Sequence, residues 1–441
     1  MTGWFARITK GWNAARHDSI GALFHHGQKP INLSDDAFYV LSMCDGLHDF
    51  ASPAFLPRHR AALGQLMRLG AVWRCPRGFA GDAPVIEGAL WAVTGRCNMQ
   101  CRHCYMGAPE GQSELPLHAM AHIVRALCDG GATSVELTGG EPFIRGDLIE
   151  LIELIEENGI SVTDIYTNAT LVDSAVIARI ADTGIRPRFH VSYDGVGTHD
   201  MMRGVPGAEA RTLSGMRALI EAGYPVIVTT SVDLNTLSAL PATYDAMRAL
   251  GVHAWGLGRP MAAGCAKHMI RLDDERFARA CEDILVRWQR DEKPLTLGLE
   301  ALFSEVTTPD MRHEIPAFDP GLFACESCRR YPHITHEGDL MPCPCYADSE
   351  YGGRFGNLTR TGWKDAWENQ TLRLVMDVTK ADVLAANPEC VPCEFLSECR
   401  TGCRVGALLA GNGLTGRDEN VCGLFKSGLK ARFSSIGGRQ A

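Results

Sequence analysis

Between residue 89 and about residue 289, short β-rich runs alternate with stretches whose apolar residues recur at helical spacing. Runs at 89–94, 134–139, 162–167, 188–193, 226–232 and 253–257 predict six strands. Between them Leu148, Ile149, Leu151, Ile152, Leu154 and Ile155 make one apolar helix face suited to packing on a sheet. A second helical pattern, through Val176 and Ile180, stops at Gly184. Strand–helix alternation requires parallel pairing with right-handed crossovers. The six units therefore predict an α/β fold, an open (β/α)6 partial TIM barrel, with its chemistry at the C-terminal strand ends.

The flanks read differently. Residues 1–86 form a small α+β module, with short strands at 20–24 and 30–33 and helices at 35–44 and 59–69. After Pro294 the regularity fades, and residues 316–423 are dense in Gly, Pro and Cys. Such a stretch buries too little apolar surface to fold unaided, and metal ligation supplies what is missing. The expected domains are 1–86, 87–300 and 301–441.

Composition narrows the function. The chain has 441 residues, 46% of them hydrophobic, and a net charge of -9, which excludes a general nucleic-acid or anionic-membrane binder because phosphate affinity comes from Lys and Arg. No apolar run reaches the roughly 18 residues of a membrane span. The N-terminus, with Arg7, Lys10, Arg16 and Asp18, lacks a signal-peptide core. A cytoplasmic location is expected, and there seventeen cysteines point to metal or redox chemistry rather than disulfides. Cys44, Cys75, Cys128, Cys265 and Cys281 are scattered and read as small apolar side chains in packed elements.

Cys97, Cys101 and Cys104 lie on one loop directly after the first barrel strand. Three thiolates suit a cube-shaped iron–sulfur cluster and leave its fourth iron open. A zinc knuckle completed by His103 is the alternative. The Cys-x3-Cys-x2-Cys spacing, followed by the aromatic Tyr105, resembles the signature of the radical S-adenosylmethionine (SAM) superfamily. That resemblance implies SAM chelation at the open iron and one-electron cleavage to a 5′-deoxyadenosyl radical that abstracts hydrogen from a substrate. Gly139-Gly140-Glu141-Pro142, ending the second strand, is similar to the family motif that binds the cofactor's amino group. Ser192 and Asp194, in Ser192-Tyr193-Asp194-Gly195, fall where family members contact the ribose. Arg203 resembles the family's carboxylate-pairing arginine, and Asn168 ends the third strand as a further cofactor contact.

The later cysteines form two blocks, Cys325-x2-Cys328 with Cys343, and Cys390-x2-Cys393-x5-Cys399-x3-Cys403 with Cys422. This layout resembles the SPASM domain of peptide- and protein-modifying radical enzymes, with zinc ribbons as the alternative. The resemblance implies two auxiliary 4Fe-4S clusters with interleaved ligands: Cys325, Cys328, Cys343 and Cys403 for the first, and Cys390, Cys393, Cys399 and Cys422 for the second. Three clusters in all are expected. Cys345 is left over, either replacing Cys325 or remaining a free thiol. Sulfatase-maturing members carry an acidic residue after the cysteine corresponding to Cys343; here it is Pro344, so their base is not carried over. No general base or hydrogen donor is assigned.

Residues 31–73, with Ile31-Asn32-Leu33, Cys44-Asp45-Gly46 and Leu66-Met67-Arg68-Leu69-Gly70-Ala71-Val72, resemble the winged-helix-like recognition element of ribosomal-peptide (RiPP) enzymes, which binds a leader by strand addition. A structural cap on the barrel is the alternative. The favoured expectation is a peptide-modifying enzyme taking a precursor peptide with a leader, and electrons from a flavodoxin or ferredoxin. Cofactor biosynthesis on a small molecule or tetrapyrrole is a second reading, and a non-catalytic electron carrier a third.

Overall fold

Seven parallel strands form the centre of the molecule in a computed structural model, which describes residues 5–8, 12–17, 20–25, 31–44, 50, 55–69, 71–75, 86–107, 114–270, 272–299, 318–325 and 327–428. An N-terminal module precedes them. In it β1 (Phe5–Ile8) pairs antiparallel with β5 (Val72–Cys75), and β2 (Trp12–His17), β3 (Ile20–His25) and β4 (Ile31–Leu33) form an antiparallel sheet. Helix α1 (Asp35–Ser42) starts where Ser34 Oγ accepts the Ala37 N–H, and packs on α2 (Pro57–Arg68) through Val40, Leu41, Leu63 and Leu66. Asp45, Gly46, Gly70 and the Cys75 side chain lie outside the described residues.

The seven strands are β6 (Gly88–Ala92), β7 (Ser134–Thr138), β8 (Ser161–Thr167), β9 (Arg188–Ser192), β10 (Val226–Ser231), β11 (Ala254–Gly258) and β12 (Thr296–Leu299). They pair in sequence order, and β6 and β12 do not meet, so the barrel is open. The strand period of two explains the layers. Trp91, Leu137, Ile165, Phe189, Val228 and Trp255 are fully buried on the outer face, under the crossover helices α3 (Leu117–Asp129), α4 (Leu148–Glu157), α5 (Ser174–Asp182), α7 (Ala208–Glu221), α8 (Leu240–Leu250) and α9 (Asp274–Arg290). Each such side chain stabilises the fold by roughly 1.5–3 kcal/mol. A short helix, α6 (His199–Arg203), follows β9. No helix among the described residues is long and apolar enough to cross a membrane.

The sheet extends beyond the six expected strands at both ends. Thr296–Leu299 adds a four-residue strand after Pro294, where Gly298 blurs the apolar alternation. At the other edge β13 (His333–Ile334) pairs parallel to β6 and antiparallel to β14 (Leu340–Met341), giving nine strands. The C-terminal region is thus stitched into the barrel sheet. The helix Trp363–Trp367 adds to this, because Trp363 lies so close to Gly130 at the end of α3 that a Cβ there would sit 2.5 Å from its ring.

Candidate active site and cluster-binding regions

The three-cysteine loop is held by its backbone. Gln100 N–H donates to Arg203 O at 3.0 Å and Arg102 N–H to Met202 O at 2.9 Å, so the loop hangs on the end of α6. Gly140 N–H and Glu141 N–H donate to Thr94 O and Arg96 O, each at 2.9 Å. The two glycines serve this approach. A Cβ on Gly139 (φ +147°) would lie 2.4 Å from Thr94 O, and one on Gly140 would lie 2.2 Å from Arg96 O.

A cavity of about 340 Å³ opens at the C-terminal strand ends. Cys97, Cys101 and Cys104 line it together with Tyr105, Gly139, Gly140, Asn168, Ser192 and Arg203. Alternating strand positions that motif reading passed over, Tyr166, Thr229 and Ser231, complete the wall with His103 and Pro344. Asn168 is oriented by its Nδ2 donating to Asn98 Oδ1 at 2.8 Å.

Three expected cofactor contacts, Glu141, Pro142 and Asp194, are buried behind the cavity wall. Glu141 is fully buried, and its carboxylate accepts Thr167 Oγ1–H (2.8 Å), Asn168 N–H (2.7 Å) and Phe143 N–H (3.1 Å). It braces the ends of β7 and β8. Burial pushes its pKa up to about 7, against the lowering effect of those donors. Pro142 is buried beside it. Asp194 is also fully buried, with Oδ2 2.8 Å from Arg203 Nε and 3.8 Å from His103 Nε2. The 2.8 Å contact is off line for a hydrogen bond, so it is an ionic pairing. Burial alone would raise the Asp194 pKa, yet Arg203 and then His103 hold it below the ordinary carboxylate range. Asp194 therefore acts on the cavity by fixing Arg203.

The donor set fits an iron–sulfur cluster. Thiolates are the soft ligands such clusters take, and Arg203 places a buried cation against them, with Nη1 3.5 Å from Cys101 Sγ. Burial pushes the Cys97 thiol up to about 12, so binding of iron must displace its proton. Among the described residues, no three His, Cys, Asp or Glu side chains converge on a single metal-ion position; the thiols border open space.

The later cysteines fall into two groups. Cys325, Cys328, Cys343 and Cys403 lie within electrostatic reach of one another, and Cys345 joins them through Cys343 and Cys403. Cys390, Cys393, Cys399 and Cys422 line a separate pocket. The interleaving follows from Asp418. Its Oδ2 accepts Cys403 N–H at 2.8 Å while its Oδ1 caps the helix Glu419–Lys426 that carries Cys422. Of the scattered cysteines, Cys44, Cys128 and Cys281 are buried as expected. Cys265 is not packed in the core: it is half-buried on a turn, its N–H donating to Cys104 O at 2.7 Å.

Residues 91–240 match the radical SAM superfamily, and residues 325–400 match the SPASM iron–sulfur cluster-binding domain. The chain carries a radical SAM domain followed by a SPASM domain. It is an enzyme of that superfamily with a SPASM domain, and SAM and iron–sulfur clusters are its cofactors. Among its relatives is an AdoMet-dependent heme synthase of Methanosarcina barkeri, 27% identical over 361 residues, which cover 77% of this chain and 97% of the relative. A PqqA peptide cyclase of Granulibacter bethesdensis is 25% identical over 284 residues, 64% of this chain and 73% of that one. The fold is shared with Streptococcus suis SuiB bound to its precursor peptide SuiA, with TM-score 0.62, 16% identity, and coverage of 95% of this chain and 100% of that one. It is also shared with anSMEcpe bound to AdoMet and a peptide, with TM-score 0.61, 14% identity, and coverage of 80% and 98%.

Proposed function

We propose that this radical SAM enzyme modifies a ribosomally made precursor peptide. The observation that carries the reading is the N-terminal module, a three-stranded antiparallel sheet beside two helices. The heme-synthase relative is matched over almost its whole length yet leaves about a quarter of this chain over, whereas the peptide-bound SuiB fold extends across nearly all of it. A leader docks on the edge of that sheet by strand addition, and a core residue enters the cavity from the open side of the barrel.

Cys97, Cys101 and Cys104 hold the catalytic cluster in this reading. Gly139, Gly140, Asn168, Ser192, Tyr105 and Arg203 form the SAM wall, while Glu141, Pro142 and Asp194 brace it. Cys325, Cys328, Cys343 and Cys403 hold one auxiliary cluster, and Cys390, Cys393, Cys399 and Cys422 the other. The bound cofactors supply a strongly oxidising carbon radical and a one-electron reservoir. The chain's part is to exclude water from the cavity and fix the substrate's reacting bond. An external flavodoxin or ferredoxin supplies the electron.

The 25–27% identity to heme and Fe-coproporphyrin III synthases favours tetrapyrrole modification as a second reading. One experiment separates the two. The protein is reconstituted without oxygen, where about twelve irons per chain are expected at four per cube. It is then given SAM, dithionite and either Fe-coproporphyrin III or short candidate precursor peptides, with and without their leader segments. A leader-dependent mass change in the peptide supports the proposal. Consumption of Fe-coproporphyrin III with an unchanged peptide replaces it by the second reading.

A further inference from the structure

The loop after β11 touches both metal-binding regions. Its 3-10 turn, Gly264–His268, lies against the end of the three-cysteine loop, where Cys265 N–H donates to Cys104 O at 2.7 Å. Gly264 sits in the left-handed region (φ +56°), and a Cβ on it would lie 2.2 Å from Cys104 O and 2.5 Å from Tyr105 O. On its other side the same turn is gripped by Asp348, whose Oδ2 accepts Gly264 N–H at 2.5 Å and lies 3.5 Å from Lys267 Nζ.

Asp348 closes the 3-10 turn Pro344–Asp348, which begins directly after Cys343 and contains Cys345. The same turn puts Pro344 into the wall of the catalytic cavity and Cys345 within electrostatic reach of Tyr105. One carboxylate thus joins the segment that follows an auxiliary thiol to the backbone of a catalytic one. The Lys267 pair is half exposed, and such pairs contribute little. A carboxylate on a backbone N–H is the stronger contact, and it holds a glycine that would otherwise roam widely.

We propose that Asp348 is a positioning residue for the catalytic cluster. Through Gly264 and Cys265 it fixes the Cys104 carbonyl, holding that cysteine in register with Cys97 and Cys101. The register therefore depends on the auxiliary segment after Cys343. This rests on membership of the radical SAM superfamily and not on the peptide reading.

The test uses the full chain and needs no substrate. In the reconstituted protein without SAM, amide hydrogen exchange over residues 104–107 should quicken about tenfold or more in Asp348→Ala, the scale expected for losing a charge-assisted hydrogen bond. Asp348→Asn keeps an oxygen acceptor without the charge and should fall between wild type and Asp348→Ala, while Lys267→Met should stay near wild type. In the reconstituted protein with SAM and dithionite, Asp348→Ala should shift the paramagnetic resonance spectrum of the reduced catalytic cluster. It should also slow 5′-deoxyadenosine formation at unchanged iron content. If Asp348→Ala does not fold, Gly264→Ala replaces it, because its methyl presses on Cys104 O, and the same exchange and spectral changes are expected. Wild-type exchange and spectrum in the folded variant overturn the proposal. So does a Lys267→Met effect as large as that of Asp348→Ala, since the surface ion pair would then be the active contact.

Discussion

Replacing Asp194 by Asn should destabilise the fold by about 3–5 kcal/mol, the usual cost of leaving one partner of a buried ion pair uncompensated. The carboxylate is fully buried, and Oδ2 lies 2.8 Å from Arg203 Nε, whose side chain is 8% exposed. At an effective dielectric constant near 20, two charges at that distance attract by about 6 kcal/mol, partly offset by the desolvation that the neutral amide avoids. Asn keeps the shape, and its Oδ1 still accepts Ser231 N–H, 3.2 Å away in the native pair. The loss is therefore one of charge. The assay is urea denaturation of the reconstituted chain without oxygen, followed by circular dichroism, for Asp194→Asn, Arg203→Met and the double variant. The double variant should cost about 3 kcal/mol less than the sum of the singles, because it leaves no orphaned cation. Additive losses, or an Asp194→Asn loss below about 1 kcal/mol, would refute the view that Asp194 anchors Arg203.

Gly140→Ala drives a methyl group toward Arg96 O, 2.2 Å from an ideal Cβ; the reconstituted variant should lose about four irons, one cube, and a full complement with normal SAM cleavage argues against it. Glu141 titrates at about 7 in the fold against an ordinary 4.5, so the folded chain holds an extra proton between those values. Its stability should fall as pH rises through that window, by about 3 kcal/mol in total. In Glu141→Gln this contribution disappears, and parallel stability–pH curves for the two proteins would contradict the assignment. Cys390→Ala with Cys422→Ala should remove about four irons while leaving substrate-free 5′-deoxyadenosine formation measurable; loss of about eight irons would mean that the two auxiliary groups are not separate.

Where the sequence was readable, spacing carried the chemistry. The cysteine intervals were legible as a resemblance, and the grouping of Cys343 with Cys403 and of Cys399 with Cys422 came with that resemblance; in the fold the Asp418 cap ties the Cys403 and Cys422 segments together. The strands from Ser134 to Gly258 declared themselves because their outer residues are continuously apolar. The cofactor wall was harder. β7 ends at Thr138 and β9 at Ser192, so two-residue parity stops there. Parity would aim Asp194 at the cavity and Glu141 away from it, but the bends that follow the strands bury both carboxylates beside the cavity wall. Tyr166, Thr229 and Ser231 do keep parity, but nothing in their residue types separates a cavity wall from an ordinary polar strand face. The contact between Gly264 and Asp348 joins residues 84 positions apart, and no local signal announces it.

The hairpin His333–Met341 also sets a timetable for biosynthesis. β6 is among the first barrel strands to leave the ribosome, but its second neighbour, β13, lies 241 positions downstream, counting from Ala92 to His333. At roughly 5–20 residues per second the edge of β6 waits about 12–50 seconds for its partner. During that interval it presents unpaired backbone groups to the cell, the condition under which sheet edges pair with strangers. β13 is therefore also a guard, and the nascent barrel carries an open edge until its own downstream domain arrives to close it.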